Sequence, residues 1–157
     1  MLFLLPLAGC FTSSKPLINP SNAVFPFATF TYGEKGSDEP TTFVRQGAAY
    51  VLQPAPKGRH IELLFKKLPS GHYLAQMRGD QKSGPVYLYA LLKVDVAGKT
   101  AEAFKVVADK ADVRPSMRSC PEKTVCVDQL AAYVTLGEAA IAAGEKPDTI
   151  YDFSTTN

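Results

Sequence analysis

Residues that most often carry chemistry are scarce in this chain. Two histidines, His60 and His72, and three cysteines are all that its 157 residues offer, so a metal site has few ligands to draw on. No serine sits in a Gly-x-Ser-x-Gly elbow; Ser70, Ser83 and Ser116 stand in turn-like stretches instead. Gly33-x-x-Gly36 lacks the third glycine and the following helix of a phosphate cradle. A net charge of only +2 gives no electrostatic footprint of a nucleic-acid binder. Beyond the N-terminus no apolar run approaches the roughly 20 residues that span a bilayer, and the longest, Val86 to Leu92, is stopped by Lys93 and Asp95. Internal repeats are absent. With 46% apolar and 20% charged residues, what remains is the composition of one ordinary globular domain.

The most informative stretch is the opening. An apolar run, Met1 to Pro6, leads into Leu7-Ala8-Gly9-Cys10, and Phe11-Thr12-Ser13-Ser14-Lys15-Pro16 follows. The tetrad resembles the lipobox of bacterial lipoproteins. That resemblance implies cleavage between Gly9 and Cys10, a diacylglyceryl group on the Cys10 thiol and an acylated new amino group. Each buried methylene contributes about 0.8 kcal/mol, so one acyl chain holds reversibly and two or three hold firmly. Phe11, where Asp would favour the inner membrane, implies an outer-membrane address in the cell envelope. No Lys or Arg precedes Leu2, so the basic part of a signal peptide is expected upstream or replaced by the amino group of Met1. An ordinary first strand ending in Gly-Cys is the alternative. The expected organisation is a signal remnant over 1–9, a lipid-anchored tether over 10–22 and a single domain over 23–157. Pro16 and Pro20 keep the tether irregular, and fully extended it would reach about 40 Å.

With Cys10 committed to lipid by the resemblance, Cys120 and Cys126 remain as a pair. An oxidising compartment favours joining them, and so short a loop adds roughly 2 kcal/mol in the chain-entropy picture. The rival readings, a redox pair or half of a metal site, fit poorly because the spacer is not that of Cys-x-x-Cys.

From Ala23 onward the pattern is mostly β. Ala23 to Tyr32 is aromatic-rich, with Pro26 marking an edge or a bulge. Thr41 to Gln53 reads as one strand. Ile61, Leu63 and Phe65 alternate with His60, Glu62 and Lys66, the period of a half-buried strand. Pro69-Ser70-Gly71 turns into a strand from His72 to Met77, and Gly79 to Gly84 forms the next turn. Val86 to Val96 is the clearest strand, with Val86, Leu88, Ala90, Leu92, Val94 and Val96 opposite Tyr87, Tyr89, Leu91, Lys93 and Asp95. Ala97-Gly98-Lys99 leads into Ala101 to Val107. Connections this short predict antiparallel pairing, because parallel strands need crossovers. Asp128 is an expected N-cap for a helix to Ala143, with Leu130, Val134, Gly137 and Ile141 on its apolar face. Gly144 suits a left-handed cap, and Thr149 to Phe153 returns as a strand. The expected fold is α+β: an antiparallel, strongly curled or barrel-like sheet of about 6–8 strands, with one C-terminal helix packed on it.

Candidates for function are few. His72, and less directly His60, define an enzyme alternative, an envelope hydrolase. Glu34, Asp38 and Glu39 share a Gly-containing loop that suggests weak Ca²⁺ binding, although a solvated acidic turn explains it as well. Arg78-Gly79-Asp80 spells an adhesion tripeptide, yet Gly-Asp is also what a tight turn wants. Tyr87 and Tyr89, with Tyr73 and Arg45 on neighbouring strands, are the residue types of protein-binding hot spots. The plainer expectation is that the helix covers those tyrosines. Taken together these features predict a non-enzymatic, lipid-anchored envelope protein that binds another envelope protein or a polymer, without cofactor, metal or nucleic acid. A passive surface lipoprotein is the further alternative.

Overall fold

A computed structural model describes residues 11–23, 25, 27–36, 38–55, 57, 60–81, 84–104, 117–119, 125–127 and 130–156. Strands β2 (Thr29–Glu34), β3 (Thr41–Gln46), β4 (Ala49–Gln53), β5 (Glu62–Lys67), β6 (Tyr73–Gln81), β7 (Gly84–Asp95) and β8 (Thr100–Phe104) succeed one another around a wall. A later strand, β11 (Thr149–Thr156), lies between β8 and β2 and closes the ring. The expected sheet is therefore a closed eight-stranded antiparallel barrel, not merely a curled one. Three short strands hang on its outside. β1 (Phe11–Ser13) pairs with β7 and, in parallel, with β10 (Val125–Val127), which pairs with β9 (Met117–Ser119).

Strand alternation sorts the side chains. Phe30, Phe43, Tyr50, Leu63, Phe65, Ala75, Met77 and Phe153 belong to one buried cluster inside the barrel. On β5, β6 and β7 the residues of opposite parity are buried too. Leu64, Leu74, Tyr89 and Leu91 pack outside the wall with Ile18, Leu68 and Tyr133. Burial on both faces is the reason these strands read as near-continuous apolar runs. Tyr133 comes from α1 (Leu130–Ala142), whose buried residues are Tyr133, Gly137 and Ala140. Its Ala-rich sequence favours helix. The helix ends as expected, with Gly144 at φ +75° and Glu145 N–H donating to the Ala140 carbonyl at 3.1 Å, a Schellman-type cap. The expected N-cap, Asp128, lies outside the described residues.

Three expectations need correction. Thr41 to Gln53 is a hairpin, because Gly47 at φ +66° turns the chain with Ala48 and pairs Gln46 with Ala49. Arg78-Gly79-Asp80 is extended ladder within β6, paired to Tyr87, Val86 and Pro85, and no turn. The segment expected as a tether packs on the barrel: Phe11 to Ser13 form β1, and Ile18 is 1% exposed. The reason is a buried acceptor. Gln76 Oε1 on β6 takes the N–H groups of Leu17 and Ile18 at 2.8 and 2.9 Å and stands 3.1 Å from the Tyr89 hydroxyl. Ser13 Oγ lies 2.7 Å from that hydroxyl and donates to the Lys15 carbonyl. Cys10 and Cys120 lie outside the described residues. Cys126 is seen only as backbone in β10.

A candidate binding site in the barrel lumen

The ladder registers set how wide the barrel is. From Thr29 the partners run through Val44, Val51, Glu62 and Arg78 to Tyr87. Together with those of the β7–β8, β8–β11 and β11–β2 ladders, the register offsets around the ring amount to a stagger of about twelve residues. An eight-stranded barrel with a stagger of about eight has a centre filled by its own side chains. A larger stagger tilts the strands further, and each then takes a longer arc of the circumference. The lumen is accordingly roomier than side chains alone require.

One end of that lumen is filled. The segment Phe25–Ala28 precedes β2, and the Tyr50 hydroxyl donates to the carbonyls of Phe25 and Phe27 at 2.8 and 2.5 Å. This fixes Phe25 inside the barrel, where its ring stacks on Phe65 with centroids 4.2 Å apart. It also meets Phe27, Phe30, Tyr50 and Tyr73 edge-on. Beyond this aromatic floor lies a cavity of about 80 Å³. Its wall comes from β2, β5, β6, β7, β8 and β11: Tyr32, Leu63, Met77, Leu88, Leu92, Val94, Ala101, Tyr151 and Phe153 among others. Small residues make the space, since Ala75, Ala90, Ala101 and Ala103 stand where larger side chains would fill it. At about 24 cal/mol per Å³, such a void forgoes about 2 kcal/mol of packing.

Tyr32 and Tyr151 supply the phenols of the wall, with ring centroids 5.3 Å apart. Burial pushes both phenol pKa values up; for Tyr32, Tyr151 and Glu34 add to the effect, and Tyr151 reaches about 12. Burial likewise raises Tyr89 to about 12, opposed by its bonds to Ser13 and Leu17, and raises Tyr50 and Tyr133. In an unfolded chain these phenols ionise near pH 10. The folded state holds their protons more tightly, so the stability they contribute is complete below about pH 10 and is lost as pH rises toward 12. Urea midpoints should therefore be flat from pH 8 to about 10 and fall above it. Tyr151→Phe should reduce that fall, and an unchanged slope would contradict the assignment.

Comparison with known protein families, curated proteins and solved structures returns no match. The site must be read from its own residues.

The other sequence candidates are dispersed. Tyr89 is 2% exposed beneath α1, where the Tyr133 hydroxyl donates to its carbonyl at 3.0 Å, and Tyr87 is half-buried beside it. Tyr73 packs against the inner cluster. Arg45 is exposed on β3, its Nε donating to the Gly47 carbonyl. These four form no single exposed face. His60 is exposed and lies 3.2 Å from Glu62. His72 Nδ1 stands 2.7 Å from Glu138 Oε2 on α1, and Ser70 Oγ donates to the other oxygen of that carboxylate. The carboxylate thus stands between hydroxyl and imidazole, whereas nucleophilic catalysis needs the imidazole on the hydroxyl. The trio ties the β5–β6 turn to the helix. Asp38 and Glu39 are exposed, and among the described residues no group of three potential metal ligands gathers. No helix of the described residues is long and apolar enough to cross a membrane.

The sequence pattern yielded the inward-facing residues of β7 but not the cavity. The legible signal was the row of alanines at inward positions, Ala75, Ala90, Ala101 and Ala103. Its meaning emerges only once the barrel's stagger is known.

Proposed function

We propose that this chain is a lipid-anchored envelope lipoprotein, held at Cys10 and facing the periplasm or cell surface, that binds rather than catalyses. Its binding element is the barrel lumen, which takes up a small apolar molecule. The observation that carries this reading is the cavity of about 80 Å³ walled by aliphatic and aromatic side chains. Concave, mostly apolar sites in barrels are where small molecules bind. The anchor rests on the Leu7-Ala8-Gly9-Cys10 tetrad. Under this reading the lumen, not a tyrosine surface, meets the ligand.

The test uses calorimetric titration of the full chain carrying Cys10→Ser, purified without detergent, with 1-hexanol as an uncharged short-chain probe. Saturable binding of one probe per chain is expected, weakened about tenfold or more by Ala101→Leu, which costs the guest at least about 1.4 kcal/mol of contact. Absence of saturable binding would overturn the lumen reading. In cells, metabolic labelling with palmitate should mark the native chain and not Cys10→Ser. An unlabelled native chain would overturn the anchor.

A further inference from the structure

We infer that the lumen selects an uncharged guest, a short alkyl chain or single ring ending in a hydroxyl or carbonyl, and rejects a carboxylate of the same shape. The inference rests on the lumen reading and specifies its ligand class. None of the cavity's described lining residues is a lysine, arginine or histidine. A carboxylate brought inside would shed its water and find no cation, which is the costliest way to bury a polar group.

The polar groups that the wall does offer are phenols. Tyr32 and Tyr151 carry the only side-chain hydroxyls among the described lining residues, and a hydroxyl donates to a neutral acceptor or accepts from an alcohol. The charge that acts on both phenols, Glu34, has the wrong sign for an anion. Glu34 ends β2 and is the ladder partner of Tyr151, so the next residue of inward parity after Tyr32 on β2 carries a carboxylate. Like charge at that rim adds to the desolvation penalty for an acid. The opposite end is closed to a head group by Phe25 and its aromatic neighbours. Chain shape and head chemistry are thus set separately, by the aliphatic wall and by the Tyr32–Tyr151–Glu34 end.

Calorimetric titration of the full chain carrying Cys10→Ser with 1-octanol and with octanoate at pH 7.5 tests this. Octanol should bind about a hundredfold more tightly than octanoate, a difference of about 2.7 kcal/mol. Octanoate should gain as pH falls toward its own carboxyl pKa, with octanol at each pH as the control for folding. Glu34→Lys, at an exposed position, should narrow the ratio of octanol to octanoate affinity at pH 7.5. Equal affinities for the two ligands at pH 7.5 would overturn the inference while leaving lumen binding intact. Binding of neither would overturn the lumen reading and the inference with it.

Discussion

Leu91→Ala is expected to lower the unfolding free energy by about 3–5 kcal/mol, whereas Leu88→Ala, on the same strand, should cost only about 1–2 kcal/mol. The two leucines face opposite sides of the β7 wall. Leu91 is 0% exposed in the outer cluster, closed in with Tyr133 and Leu74. Truncating it leaves a hole that neighbours on the sheet and helix are too constrained to fill. Leu88 faces the lumen, is half-buried and already borders the cavity. Its truncation enlarges an existing space and loses fewer contacts. Urea denaturation of both variants, with unchanged m-values as the check on two-state behaviour, decides the matter. Equal costs would mean that the lumen is packed as tightly as the outer core, and the binding proposal would lose its foundation.

Gln76→Leu should be nearly as damaging, at about 2–4 kcal/mol, although it conserves shape. Gln76 is 2% exposed. Its oxygen is the acceptor for the N–H groups of Leu17 and Ile18 and lies within reach of the Tyr89 hydroxyl. Removing it strands the buried Ile18 N–H, at about 1–3 kcal/mol, and leaves the Leu17 N–H only the Tyr89 hydroxyl at 3.2 Å. Tyr89→Phe should cost less, about 1 kcal/mol, because Gln76 would still hold both amides. Hydrogen exchange gives the sharper readout: the Leu17 and Ile18 amides should lose protection in Gln76→Leu while amides of β3 and β4 keep theirs. Retained protection at 17 and 18 would show that the segment is held without Gln76, by the β1–β7 pairing, the Tyr89 hydroxyl and the packing of Ile18.

Period-2 alternation and turn residues located the strands because each acts locally. Gly71 at φ +91° and Lys99 at φ +55° sit in the two turns expected around them. Closure was out of reach of such signals. It depends on β11 pairing with both β8 and β2, which lie far away in sequence. The Thr41–Gln53 hairpin was misread because Gly47 lies amid residues of good strand propensity, and only its positive φ betrays the turn. The packing of the N-terminal segment hinges on one glutamine. Gln76 looks like any polar strand residue until the Leu17 and Ile18 amides are seen to converge on it. The Tyr89 face was legible in both its readings, and the helix covers it.

β11 is the last stave of the cask. Until residues 149–156 have left the ribosome, β2 and β8 each lack a neighbour, and two raw edges stand open to pairing with other chains. A nascent chain stalled before that point is a seed for aggregation. Productive closure of the barrel has to wait until β11 has emerged, however early the other seven strands are made.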